Sequence, residues 1–162
     1  MTRQMEIDAP PGLPFIDTSR QFDAPVDLVY RAHVEPELVR QWLGPGRYEM
    51  EIDRWEVRDG GRWRYTHRDA EGNVYGFRGV FHGAPSPAMT VQTFEFEGAP
   101  GHVALQSLIL EERDGGTVVR TRSVHQSVRA RDAMVAGGMR DGMEAGYLRL
   151  DELLARLAAP VA

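Results

Sequence analysis

The groups in this chain that could do acid, base or metal chemistry are scattered. It carries five histidines, His33, His67, His82, His102 and His125, and no cysteine. Without thiols there is no disulfide, thiolate metal site or cysteine nucleophile. All nineteen basic residues are arginine, which excludes lysine Schiff-base chemistry. No two histidines have the spacing that puts zinc ligands on one helix face, so neither a metal nor a cofactor is expected. His67 and His125 fall on strand-like segments with a parity that can point inward. A buried neutral imidazole there can hydrogen-bond a ligand or act as an acid or base. Ser123 and Ser127 lie near His125, but read as neighbours on a strand they alternate faces and make no triad. No catalytic residue is assigned, and a non-enzymatic role is favoured over an enzymatic one. Gly60-Gly61 and Gly115-Gly116 read as hairpin turns, because neither opens a helix as a phosphate loop must.

Aromatic spacing is more informative. Trp63, Tyr65, Phe77, Phe81 and Phe94 recur at alternating positions of successive strand-like segments, so one face of a sheet would carry all five. Such a face suits flat apolar ligands and equally suits an ordinary core.

These side chains must be positioned by strands and by one long C-terminal helix, read over 131–157. At ~100° per residue its apolar face holds Met139, Gly142, Met143 and Gly146, then Leu150, Leu153, Leu154 and Leu157. Leucine specifies solid packing, whereas methionine and glycine suit close backbone approach, a kink, or the roof of a cavity. Tyr147 borders that face and can offer its hydroxyl inward. Leu148 lies on the polar face, where a single exposed leucine is unremarkable or marks a homodimer contact.

Upstream, 1–14 reads as an N-terminal tail rich in proline, and 15–22 as a first strand. Two short helices follow over 26–33 and 36–43, the second ended by Gly44-Pro45-Gly46. Strands are read over 48–57, with a parity change at Asp53-Arg54 that predicts a bulge, and over 62–68, 74–82, 89–97, 103–113 and 117–125. The turns between them make an antiparallel meander. Its apolar face must be covered, and the long helix is the one large element available.

At 162 residues the chain has the length of one domain. Net charge is -5, with arginines scattered among acids, which argues against a nucleic-acid partner. No apolar run is long enough to span a bilayer and the N-terminus has no signal-peptide core, so no membrane partner and a cytoplasmic location are expected.

The order of elements, with Ala24-Pro25 opening a helix, Trp42 closing the next, VRDGGRWRY over 57–65, FRGVF over 77–81 and RDAMVAGGMRDGMEAGYLRLDELL over 131–154, resembles the SRPBCC, or START-like, superfamily. Within it the chain looks like the activator-of-heat-shock-ATPase-like branch, and the resemblance covers 15–158. It implies an α+β helix-grip fold: a curved antiparallel sheet of about six or seven strands around the C-terminal helix, with two short helices after strand one. It also implies an apolar cavity between sheet and helix, lined by Trp42, Trp63, Tyr65, Phe77, Phe81, Phe94, His125, Met139, Met143 and Tyr147. The function so implied is binding of a hydrophobic or aromatic small molecule, lipid- or polyketide-like, for sequestration or self-resistance, by a monomer or homodimer. A polyketide cyclase or aromatase and a co-chaperone-like interaction protein are the alternatives.

Overall fold

The computed structural model describes residues 3–44 and 46–159. Pro45 of the expected Gly44-Pro45-Gly46 breaker lies outside them. Strand β2 (Phe15–Phe22) alternates as its sequence requires, with Ile16, Thr18, Arg20 and Phe22 buried on one side. Pro25 then precedes α1 (Val26–Val34), because its fixed φ suits a helix start. Helix α2 (Pro36–Val39) is shorter than the expected 36–43. Past it the backbone tightens to Gln41 N–H→Leu38 O and Trp42 N–H→Val39 O, a 3₁₀-type winding.

Six strands follow: β3 (Glu49–Trp55), β4 (Arg62–Arg68), β5 (Val74–His82), β6 (Thr90–Phe96), β7 (Val103–Arg113) and β8 (Gly116–Val124). The β3–β4 register shifts between Ile52 and Arg54, where the parity change predicts a bulge. β8 pairs with β2, so the first and last long strands close the meander.

Two expectations are corrected. The sheet has eight strands rather than six or seven, and with a short β1 (Glu6–Asp8) at its edge the order is β1-β2-β8-β7-β6-β5-β4-β3. The extra one, β1, lies in the stretch read as a tail and pairs with β2. Buried Met5 beside it joins the core, and that contact fixes the strand. The second correction concerns the long helix, which is two: α3 (Val128–Ala136) and α4 (Met139–Ala158). Gly138 between them has φ 86, a left-handed conformation that ends a helix and that glycine adopts without penalty. Ser127 caps α3 by accepting the Ala130 N–H at 3.0 Å.

Helix α4 buries Tyr147, Leu150, Leu153 and Leu154 against Phe22, Val29, Ala32, Leu110 and Val119. Arg20 is buried on the same side, and its two terminal nitrogens reach the Asp151 carboxylate at 2.6 and 2.5 Å. A second apolar cluster stands on β3 to β6, built from Trp63, Tyr65 and Phe81, with Trp55, Phe77 and Phe94 packed on it. Among the described residues it contains none from α4. Leu43 touches both clusters.

Candidate ligand-binding face

Strand parity puts Trp63, Tyr65 and His67 on the concave face of β4, and register brings Gly79, Phe77 and Tyr75 of β5 opposite them. The rings stack into one surface. Trp63 and Tyr65 are 5.6 Å apart between centroids, Tyr65 and Phe77 5.2 Å, and Phe77 and Phe94 5.6 Å. Opposed aromatics across strands stabilise a sheet. Gly79 makes room for the indole, since a Cβ there would lie 2.6 Å from Trp63 ring carbons.

Two buried polar atoms here, Trp63 Nε1 and His67 Nε2, have no hydrogen-bond partner among the described residues. Leaving such groups unpaired away from water costs roughly 1–3 kcal/mol each. His67 sits under Gly44, whose Cβ would approach its Cε1 to 2.2 Å. Burial first, and the nearby Arg149 charge second, hold its imidazole down to about 4, so it is neutral at pH 7. Burial likewise pushes the Tyr65 hydroxyl up, keeping it a donor.

Between the aromatic cluster and the helix core runs a polar band. Register aligns Gln92 with Gln106 and Gln106 with Ser123 on the concave face. One step along, Thr121 meets Thr18 across β8 and β2, and their hydroxyls hydrogen-bond. The Gln92 side-chain amide donates to Gln106 Oε1 at 3.2 Å, and Ser123 Oγ lies 3.1 Å from His125 Nε2. Gln92, Gln106, Thr121 and Ser123 are half-buried, while His125 is buried. Burial, then the Arg131 charge, lowers the His125 pKa. Inward polar residues are costly in a sealed core but suit a face that meets water or a ligand.

The ten residues expected to line one cavity divide between environments. Trp63, Tyr65, Phe77, Phe81 and Phe94 form the aromatic face. Trp42 and Tyr147 instead belong to the helix core, with Met143 packed against it. Trp42 donates its indole N–H to Ala32 O at 2.8 Å and stacks on Tyr147, which meets Phe22 edge-on at 5.1 Å. Met139 lies farther away. It lines an open groove of about 410 Å³ with Ile7, Ala9, Val135, Ala136 and Gly138, where the α3–α4 break faces β1. Packing along α4 is uneven. A Cβ at Gly146 would meet Trp42 O at 3.1 Å, whereas one turn earlier, at Gly142, it would meet nothing within 4 Å.

His125 is joined by a partner that the sequence reading set aside. Ser123 and His125 are two residues apart, so they share a face, and the expected separation of serine from histidine is corrected for this pair. Ser127 is engaged as the α3 cap. Gln92, Gln106 and Thr121 were missed as well. Carrying the Phe94–Phe96 parity back along β6 would have found Gln92; the match to Gln106 and Ser123 is set by long-range pairing. No cluster of three or more potential metal ligands occurs among the described residues, and none of their helices is long and apolar enough to cross a membrane.

The model of a family described as Activator of Hsp90 ATPase homolog 1-like protein matches residues 23–155. No curated protein sequence matches the chain. A crystal structure of a Rhodobacter sphaeroides protein is 27% identical, with a TM-score of 0.87, covering 94% of this chain and 99% of that one. A Mycobacterium smegmatis protein is 18% identical with a TM-score of 0.84, covering 99% of this chain and 100% of its own. A solution structure from Arthrobacter aurescens is 22% identical with a TM-score of 0.84, covering 94% and 92%. The last two likenesses are of fold alone.

Proposed function

Because the chain belongs to the Activator of Hsp90 ATPase homolog 1-like family, whose fold commonly binds hydrophobic ligands, we propose that it binds an apolar or aromatic small molecule on the concave face of its sheet. The observation that carries this reading is the division of the interior. The aromatic cluster of β3 to β6 has no α4 residue in it, and α4 has its unfilled turn at Gly142. A core that was only structural would gain by closing helix onto aromatics, at ~25 cal/mol per Å² of apolar surface buried. A ligand removes the same surface from water when it enters. The role is sequestration, of the kind that protects a cell from a lipid- or polyketide-like metabolite.

A second reading, proton transfer on a bound polyketide-like chain, is favoured by one contact, Ser123 Oγ to His125 Nε2 at 3.1 Å. With its pKa lowered, His125 is a neutral imidazole fit to accept a proton. Product analysis separates an enzyme from a binder, since only the first alters its ligand.

The test is a thermal-shift screen against fatty acids, flavonoids and aromatic polyketides, with Gln106→Trp, a bulky side chain on the concave face itself, as the blocking variant. A ligand at about 100 times its dissociation constant adds ~2.7 kcal/mol. In a domain of this size that raises the melting temperature by roughly 5–10 °C. The rise should vanish in Gln106→Trp. Absence of a shift with every class would overturn the binding reading and turn attention to a protein partner.

A further inference from the structure

We infer that the polar row Gln92–Gln106–Ser123, ended by His125, selects the ligand: a flat aromatic molecule bearing hydroxyl or keto oxygens, in preference to a bare hydrocarbon or a fatty acid. The inference rests on the concave-face reading above and adds its chemical class.

The argument is one of hydrogen-bond capacity. A glutamine amide offers two N–H donors and an oxygen with two lone pairs. The contact between the two glutamines uses one N–H of Gln92 and one lone pair of Gln106. The Gln106 amide nitrogen and the Gln92 amide oxygen make no other hydrogen bond among the described residues. The row thus presents a donor and an acceptor side by side, with the Ser123 hydroxyl next in register. Rows on neighbouring strands are ~4.8 Å apart, comparable with the width of one six-membered ring carrying oxygens on opposite carbons.

Its surroundings supply the remainder. On one side of Gln92 stands Phe81, its cross-strand partner, and Phe94 follows on the same face. A ring system laid across the band would put its carbon against these aromatics and its oxygens over the amides. A fatty acid is served less well at this row, because the fully buried cations near it are committed, while half-buried Arg149 stands at the far, His67 end of the face and donates to Trp42 O. Arg20 binds Asp151, and Arg131 binds Asp132 and the carbonyls of Pro10 and Phe15. A site that hydrogen-bonds a ligand oxygen rejects the analogue without it, since the protein groups are then left unpaired.

The test is calorimetric titration of the full chain with naphthalene, with a naphthalenediol whose hydroxyls sit on opposite edges of the ring system, and with decanoic acid. The wild-type protein should bind the diol about tenfold or more tightly than naphthalene, the worth of one to two buried hydrogen bonds. In Gln106→Leu, and to a smaller degree in Ser123→Ala, that ratio should fall toward one. Gln92→Leu serves as a second variant should Gln106→Leu fail to fold, and circular dichroism checks each. If diol and naphthalene bind equally well, or if the ratio is unchanged in folded variants, the inference is overturned and the concave-face reading stands. If decanoic acid binds more tightly than the diol, the chemical class is wrong. If the wild-type protein binds none of the three, the reading of the face falls and takes the inference with it.

Discussion

Replacing His67 by leucine should flatten a defined part of the acid sensitivity of the fold. In the native protein the imidazole lies beneath Gly44, between Tyr65 and Phe77, with the Arg149 charge nearby. Its pKa falls from the ordinary 6.5 to about 4. The folded state therefore prefers the neutral ring, and the unfolded chain takes up the proton first. The contribution is whole above the unfolded pKa, declines as pH drops below 6.5, and reaches its floor once pH passes below about 4. By about pH 5 the native protein should have lost about 2 kcal/mol through this group. Urea unfolding at about pH 7.5 and about pH 5 reads the effect, as a midpoint shift of ~1 M for a typical denaturant slope. His33 and His125 also have lowered pKa values and contribute in both proteins, so the comparison is between the pH-dependent losses of wild type and His67→Leu. A proton-resonance titration of His67 gives the folded pKa directly. Equal losses in the two proteins, or a His67 titration near its ordinary value, would refute the assignment.

Other perturbations follow from the same geometry. Gly44→Ala should cost about 3 kcal/mol or more, because a positive φ of 82 is joined by a Cβ 2.2 Å from His67, whereas Gly12→Ala, at φ 80 with nothing within 4 Å, should cost only ~1 kcal/mol; equal losses in chemical denaturation would show that the loop does not press on His67. Gly142→Ala should stabilise the ligand-free protein by ~1 kcal/mol, about 2–4 °C in melting temperature, since the new methyl meets nothing and helix propensity improves. A lower melting temperature would mean that this turn is packed. Amide hydrogens over 131–146 should exchange faster than those over 147–157, because the helix breaks at Gly137–Gly138 and its buried leucines all lie in the later part. Uniform protection measured by mass spectrometry would contradict that order.

Much of the fold was legible in the chain because local rules and burial agreed. The strand over 15–22 needed only its alternation and Asp23-Ala24-Pro25 after it. The bulge at Asp53-Arg54 showed as a change of parity. β1 was hidden because three residues of mixed polarity carry no periodic signal, and Met5 is buried by distant partners. The helix break at Gly137–Gly138 was visible as a weakness, but whether weak helix becomes kink or stop depends on what its two halves pack against. The aromatic face was read from alternation, and its residues do share a surface. Trp42, added to the same cavity by resemblance, and Tyr147, read from its place beside the apolar face of the helix, both pack in the helix core.

The sequence by itself determined the periodicities: which residues of each strand share a face, where turns fall, and that one amphipathic helix must cover a meander. It also settled, through composition, that thiol and lysine chemistry are absent. Tertiary structure alone decided which strands lie side by side, and therefore that Gln92, Gln106 and Ser123 form one row ended by the Ser123–His125 contact. The physical reason is range. Alternation and propensity act over a few residues, whereas register between β6, β7 and β8 is set by the burial of whole faces at once, and a polar residue carries no mark of the partner that burial will bring to it.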